Sequence, residues 1–284
     1  MKIVVVSEIQ SHLGEGPVYD EDSNSIIWTD IEGKSWHRFR IDRKETSSFK
    51  VSGMIGAIVK TRTGGLYAAV EEGFGSLSEE SGYRISVRTL ESFERMNDAK
   101  CDSKGRLWAG SVDRSQRKGK GKLHRLDENL TSQVMLENLT LPNGIDWSPD
   151  GSKMYLVDSL EKALWVFDFD FELGEISNQE LFFDFKNEPG IPDGLTVSAQ
   201  GDLFVAMWNG SQVLVISNAG ERMDIIRVPV QRPTSCVFGG ENYDKLFVTS
   251  AMSGFVVDQD SLGGSLLEIS GLGVIGKASY SFNG

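Results

Sequence analysis

The chain has 284 residues, 39% of them hydrophobic and 10% aromatic, and a formal charge of −12. This is the composition of a folded protein, and its acidity argues against nucleic acid or an anionic membrane as partner, since both demand basic surface. The opening MKIVVVSEIQ holds an apolar run too short for a signal-peptide core, and no stretch reaches the length of a membrane span. Two cysteines, Cys101 and Cys236, are expected as reduced, unpaired core residues, so the expected location is the cytoplasm.

The elements repeat. Asp102 to Trp108 reads Asp, two residues, Gly105, a spacer, Leu107, then the aromatic. Thr61 to Tyr67 and Ser198 to Phe204 match it position for position, Ser148 to Tyr155 carries one extra residue, and Asp20 to Trp28 and Gly239 to Phe247 are looser copies. The six aromatics lie 39, 41, 47, 49 and 43 residues apart. A period of roughly 40–50 residues built of short strands marks a β-propeller. The expectation is therefore all-β: one six-bladed domain over residues 1–284, with four-stranded blades.

In chain order, the apolar Lys2–Ser7 segment precedes the first repeat and has no role within it. The third repeat predicts strands at Ala99–Asp102, Arg106–Ser111, Gly121–Leu126 and near Gln133–Leu136. The fourth predicts Gly144–Ser148, Lys153–Asp158, Ala163–Phe169 and Gln179–Phe185. The sixth has a third strand at Gly264–Ile269 but no convincing fourth, Lys277–Phe282 being a weak candidate. Lys2–Ser7 is expected to supply that strand, closing the ring and removing a sheet edge.

In a propeller, the segment before each inner strand lies at the axis. Counting back 11 to 13 residues from each aromatic selects Glu15, Ile55, Asn97, Asn143, Asp193 and Ser235 or Cys236. Glu15, Asn143 and Asp193 are each followed by Gly. Each pair alone reads as a routine turn. Their shared repeat position instead predicts an oxygen-rich nest for one divalent cation, with Ca²⁺, Mg²⁺ or Mn²⁺ fitting at least as well as Zn²⁺. The loops Asp30–Lys34, Glu71–Gly75, Val112–Lys120, Asp158–Lys162, Trp208–Gly210 and Ala251–Gly263 are expected on the same face, with 112–120 a candidate lid and Trp208 a pocket wall. His37 and His124 each precede Arg in a third strand and are read as structural.

Leu13–Pro17, Arg95–Asp102, Gly105–Ser111, Pro142–Ser148, Ile191–Leu195 and Pro233–Cys236 together resemble the SMP-30/gluconolactonase/regucalcin family, in order and over roughly residues 10 to 270. The resemblance implies a six-bladed propeller with a catalytic divalent metal held by Glu15, Asn143 and Asp193, and substrate held by Arg95 and Asn97. It departs at 111–121, where animal relatives carry an acidic pair that contacts sugar. Here Asp113 is the only acidic residue, and Arg114 and Ser115 stand in the approximate place.

There is no G-x-S-x-G elbow, and the three histidines offer no base for a serine nucleophile. The reading is a metal-dependent hydrolase opening a small-molecule sugar lactone, with Asp193 as general base. The alternatives are a calcium-binding regulatory protein without turnover, or a metal-dependent phosphotriesterase or esterase on the same scaffold.

Overall fold

The structure, a computed structural model, describes residues 1–7, 9–252 and 260–284. Strand β1 (Lys2–Val5) comes first. Blade 1 follows as β2 (Gly14–Asp20), β3 (Ser25–Asp30), β4 (Ser35–Arg40) and β5 (Glu45–Lys50). Blade 2 is β6 (Ile55–Lys60), β7 (Leu66–Val70), β8 (Gly73–Ser78) and β9 (Gly82–Arg88). Blade 3 is β10 (Glu94–Cys101), β11 (Leu107–Asp113), β12 (Gly121–Leu126) and β13 (Ser132–Leu139). Blade 4 is β14 (Pro142–Trp147), β15 (Lys153–Asp158), β16 (Ala163–Asp170) and β17 (Glu175–Asp184). Blade 5 is β18 (Ile191–Val197), β19 (Leu203–Trp208), β20 (Gln212–Ile216) and β21 (Arg222–Arg227). Blade 6 is β22 (Pro233–Gly239), β23 (Lys245–Ser250) and β24 (Leu267–Ser270), with β1 as its outermost strand.

These six antiparallel sheets form the ring of a six-bladed propeller. Among the described residues there is no helix, and so none long and apolar enough to cross a membrane. Lys2 pairs with Ser270 and Val5 with Leu267, so the chain's beginning covers the edge that its end would expose. Lys277–Phe282, the weaker candidate for that place, is not a blade strand.

The repeated aromatics explain why the blades stack. Trp28, Tyr67, Trp108, Tyr155, Phe204 and Phe247 all sit on the second strand of their blade and are all buried. Each fills the wedge between neighbouring sheets, the apolar burial that drives the ring together. His37 and His124 lie on the third strands β4 and β12, both buried, His37 with its ring 5.0 Å from that of Trp28. Their placement is structural, within the blades rather than on outer strands. Cys101 and Cys236 are free and buried.

Some strand limits differ from expectation for one shared reason. Every inner strand carries a β-bulge near its start, between Glu15 and Val18, Ile55 and Ala57, Met96 and Ala99, Pro142 and Ile145, Pro192 and Leu195, and Pro233 and Ser235. A bulge breaks the two-residue alternation from which a strand is read. Thus β10 begins at Glu94 rather than Ala99, and β14 at Pro142 rather than Gly144.

The far end of the axis is closed by the C-terminal segment. Its backbone bonds Phe282 N–H to Lys60 O, Asn283 N–H to Gly105 O and Gly276 N–H to Tyr243 O, so it crosses blades 2, 3 and 6. Lys277 Nζ reaches Asp146 Oδ1 at 2.5 Å, and Lys100 Nζ reaches Asp146 Oδ2 at 3.0 Å. Burial alone would raise the Asp146 carboxyl, but the two ammonium groups outweigh it and hold it at about 2. Above this seal the axis leaves a cavity of only about 20 Å³, bordered by Asp98, Lys100, Cys101, Cys236 and Tyr280, room for little more than one water.

Candidate functional site

The bulges turn one residue of each inner strand toward the axis, at the end opposite the C-terminal seal. Glu15, Asn97, Asn143 and Asp193 come from four different blades and are each 5–7% exposed. Together with Arg95 they line one cavity of about 670 Å³. The glycines after Asn143 and Asp193 are required by packing, while Gly16, after Glu15, is required by its left-handed backbone, φ +51. A Cβ on Gly144 would lie 2.5 Å from Leu195 N and 2.7 Å from Asp193 O, and one on Gly194 would lie 2.4 Å from Ser235 Cβ. At Gly144 the inner strands of blades 4 and 5 therefore touch through bare backbone, and at Gly194 the blade 5 strand is pressed against Ser235 of blade 6.

The loops leading into these strands are tied down by a recurring carboxylate. Asp30, at the end of β3, accepts the N–H groups of His12 and Leu13, each at 3.0 Å, and so sets the approach to Glu15. Asp158, at the end of β15, does the same with Thr140 and Leu141, at 2.8 and 2.9 Å, ahead of Asn143. In blade 2 Glu71 accepts Met54 N–H at 2.8 Å.

At the centre, Asn143 donates through Nδ2 to Asp193 Oδ1 and to Ser159 Oγ, the latter at 3.1 Å. Its Oδ1 is buried and accepts nothing. A buried carbonyl oxygen left without a donor costs free energy unless something electropositive meets it. Glu15 accepts Gly16 N–H at 3.1 Å. Its carboxyl is held well above the usual range by burial and by the neighbouring Asp193 and Asp98 charges. Asp193 is raised likewise, by burial and then by Asp98, although Asn143 and Arg95 oppose the shift.

The donor set is thus two carboxylates and an amide oxygen, all hard, with one oxygen unmatched. It fits an oxygen-coordinated divalent cation. Among the described residues no three His, Cys, Asp or Glu side chains converge on one point, so a cation here would also need the amide oxygen of Asn143.

Arg95 and Asn97 act as a unit. Arg95 Nη1 donates to Asn97 Oδ1 at 2.9 Å and to Met96 O at 3.0 Å, and Asn97 Nδ2 donates to Pro142 O at 3.0 Å. All five residues expected from sequence therefore meet in one cavity.

Further lining residues that were not anticipated individually include His12, Glu32, Gln116, Ser159, Leu160 and Arg232. Glu32, Gln116, Ser159 and Leu160 fall in loops assigned to this face, so the loop register was the available signal. In the 112–120 segment it is Gln116 that reaches the cavity, rather than Arg114 or Ser115. Asp113 turns instead to Arg117, whose Nη2 donates to it at 2.5 Å. Trp208 lines the cavity as expected, whereas no residue of Glu71–Gly75 does. Of the Ala251–Gly263 loop, residues 253–259 lie outside the described residues. Asp98, adjacent to Asn97 on the same bulge, is buried beside the small axial cavity, and burial pushes its carboxyl up to about 6.

The family model for the SMP-30/Gluconolactonase/LRE-like region matches residues 13–252. Regucalcin of Oryctolagus cuniculus is 32% identical, covering 100% of this chain and 99% of that one. Among solved structures, a luciferin-regenerating enzyme superposes with a TM-score of 0.91 at 28% identity, over 99% of each chain. A calcium-binding protein, regucalcin, of Agrobacterium tumefaciens superposes with a TM-score of 0.93 at 25% identity, over 98% of this chain and 96% of that one.

Proposed function

The chain belongs to the SMP-30/gluconolactonase/LRE-like family, and from that premise we propose that it is a divalent-cation-dependent hydrolase opening a sugar lactone. The observation that carries this reading is the convergence of Glu15, Asn143 and Asp193 in one cavity with a buried Asn143 Oδ1 that accepts nothing. Glu15, Asn143 and Asp193 would hold the ion, with Ca²⁺, Mg²⁺ or Mn²⁺ the best match to their oxygens. When bound, the ion supplies Lewis-acid polarisation of the lactone carbonyl.

The rest falls to the chain's own side chains. Asp193 receives the proton of the attacking water at its carboxylate and returns it to the departing ring oxygen. The new bond is water oxygen to carbonyl carbon, and the bond lost is the ring ester C–O. Burial and the nearby Asp98 charge raise this carboxylate in the cation-free chain, and its place in the cavity beside Asn143 puts it within reach of an attacking water. Arg95 donates to substrate oxygens, and Asn97 fixes its guanidinium through the 2.9 Å bond. Trp208 supplies an apolar wall that limits water.

A second reading, cation binding without turnover, is favoured by the likeness to a protein described as calcium-binding. Proton release from a panel of aldonolactones, with and without chelator, separates the two. Hydrolysis that chelator removes and added cation restores is expected. Cation binding with no lactone opened would leave the second reading standing.

A further inference from the structure

The orientation of the Asn143 amide rests on two acceptors, and the chemistry above uses only one of them. Asn143 Nδ2 donates to Asp193 Oδ1 and, at 3.1 Å, to Ser159 Oγ. Ser159 is 2% exposed, lines the same cavity and immediately follows β15. Its place is well fixed. Its own N–H donates to Leu141 O at 3.0 Å, and the neighbouring Asp158 carboxylate accepts Leu141 N–H at 2.9 Å. Ser159 is thus tied to the segment that leads into Asn143.

The other blades separate the backbone's needs from those of the hydroxyl. The same backbone bond recurs in four of them, from Ile31 to Leu13, Glu71 to Met54, Arg114 to Phe93 and Ala251 to Arg232, at 2.8–3.0 Å. Ile, Glu, Arg and Ala all hold it, so the fold places no demand for serine here. In blade 1 the candidate ligand is Glu15, whose carboxylate has no N–H to satisfy, and the residue in this place is the buried, apolar Ile31. In blade 4 the candidate ligand is an amide, whose N–H groups need acceptors once buried, and the residue in this place is a short hydroxyl. Asp193 Oδ1 is itself a candidate ligand, so it cannot serve a cation and the amide equally. Ser159 Oγ has no such second duty. We propose that Ser159 is a positioning residue for the cation site: by accepting an N–H of Asn143 it holds the amide with its oxygen toward the ion. This rests on the cation-site reading above and deepens it.

The test is calorimetry with Ca²⁺ and with Mn²⁺ on chelator-stripped protein, alongside urea unfolding of the same cation-free samples. Ser159→Ala should weaken binding by about tenfold to a hundredfold, the usual weight of a group that orients a metal ligand. Ser159→Thr, which keeps the hydroxyl, should recover most of that loss. In an Asn143→Ala background, Ser159→Ala should change affinity little further, because its effect passes through the amide. A serine with only a structural role would lower the urea midpoint and leave affinity alone. Unchanged affinity in Ser159→Ala, an equal loss in Ser159→Thr, or a loss fully additive with Asn143→Ala overturns the proposal and leaves the cation site standing. A parent protein that binds neither ion removes the cation site and the proposal together. Should Ser159→Ala not fold, Ser159→Gly carries the same comparisons.

Discussion

Asn143 gives its side-chain N–H to the Asp193 carboxylate across the junction of two adjacent blades, leaving its own Oδ1 buried and unmatched. The bond settles which end of the amide faces the carboxylate. The oxygen is thereby left to the cavity, where a cation can use it. The relationship also couples the two residues, because a change in either moves the other.

That coupling gives Asp193→Asn two separable effects. Loss of the negative charge weakens cation binding, and loss of the base slows the chemistry even when cation is saturating. Removal of a general base lowers kcat by about 10²–10⁴-fold. Asn143→Ala should instead lower cation affinity and recover much of its turnover when cation is raised. Initial rates across a cation series for both variants distinguish them. Recovery of Asp193→Asn by cation alone would contradict the role of base.

Arg95 and Asn97 are joined to each other by a 2.9 Å hydrogen bond. Single replacements by Ala should each cost about tenfold to a hundredfold in kcat/KM, the weight of one hydrogen bond to substrate, with cation affinity nearly intact. The double replacement should cost little more than either alone, because Asn97 acts through Arg95. Fully additive losses would mean that the two contact substrate independently.

Two buried imidazoles make the fold acid-sensitive. Burial lowers His37 from 6.5 to about 4 against the pull of Asp30, and burial with Lys122 lowers His124 from 6.5 to about 4. His37 has neither ring nitrogen bonded, and His124 pairs only Nε2, with Ser111 Oγ at 2.9 Å. Both stay neutral in the fold, whereas an unfolded imidazole takes a proton near pH 6.5. Stability is therefore whole above about pH 6.5 and falls as pH drops from there toward 4, by up to about 3 kcal/mol for each residue. Urea midpoints measured across this window should fall, and the fall should shrink in His124→Gln. An unchanged slope in that variant would exclude His124 as a source.

The propeller was legible in the sequence because each blade must bury an aromatic at the same place. The regular appearance of Trp28, Tyr67, Trp108, Tyr155, Phe204 and Phe247 records that packing directly. The N-terminal strand was legible as an absence, since the sixth repeat runs out one strand short. The ligand positions could be counted but their mechanism could not. Glu-Gly, Asn-Gly and Asp-Gly look like turn pairs, yet they are bulges at which the inner strands of neighbouring blades come close. Arg232 left no periodic trace, and Gln116 only that of its loop, because which loop residue reaches the cavity is decided by tertiary placement. The C-terminal seal was hidden for the same reason: Lys277 finds Asp146 from 131 positions away.

The central claim is that Glu15, Asn143 and Asp193 form one cation site on which lactone opening depends. The most direct measurement strips the protein with chelator, titrates a divalent cation back, and reads bound ion and lactone hydrolysis on the same samples. Activity should be absent at the start, rise in step with binding and saturate at about one ion per chain, and Glu15→Gln should weaken both together. Full hydrolysis in the stripped protein, or a Glu15→Gln variant that binds and turns over like its parent, would contradict the account.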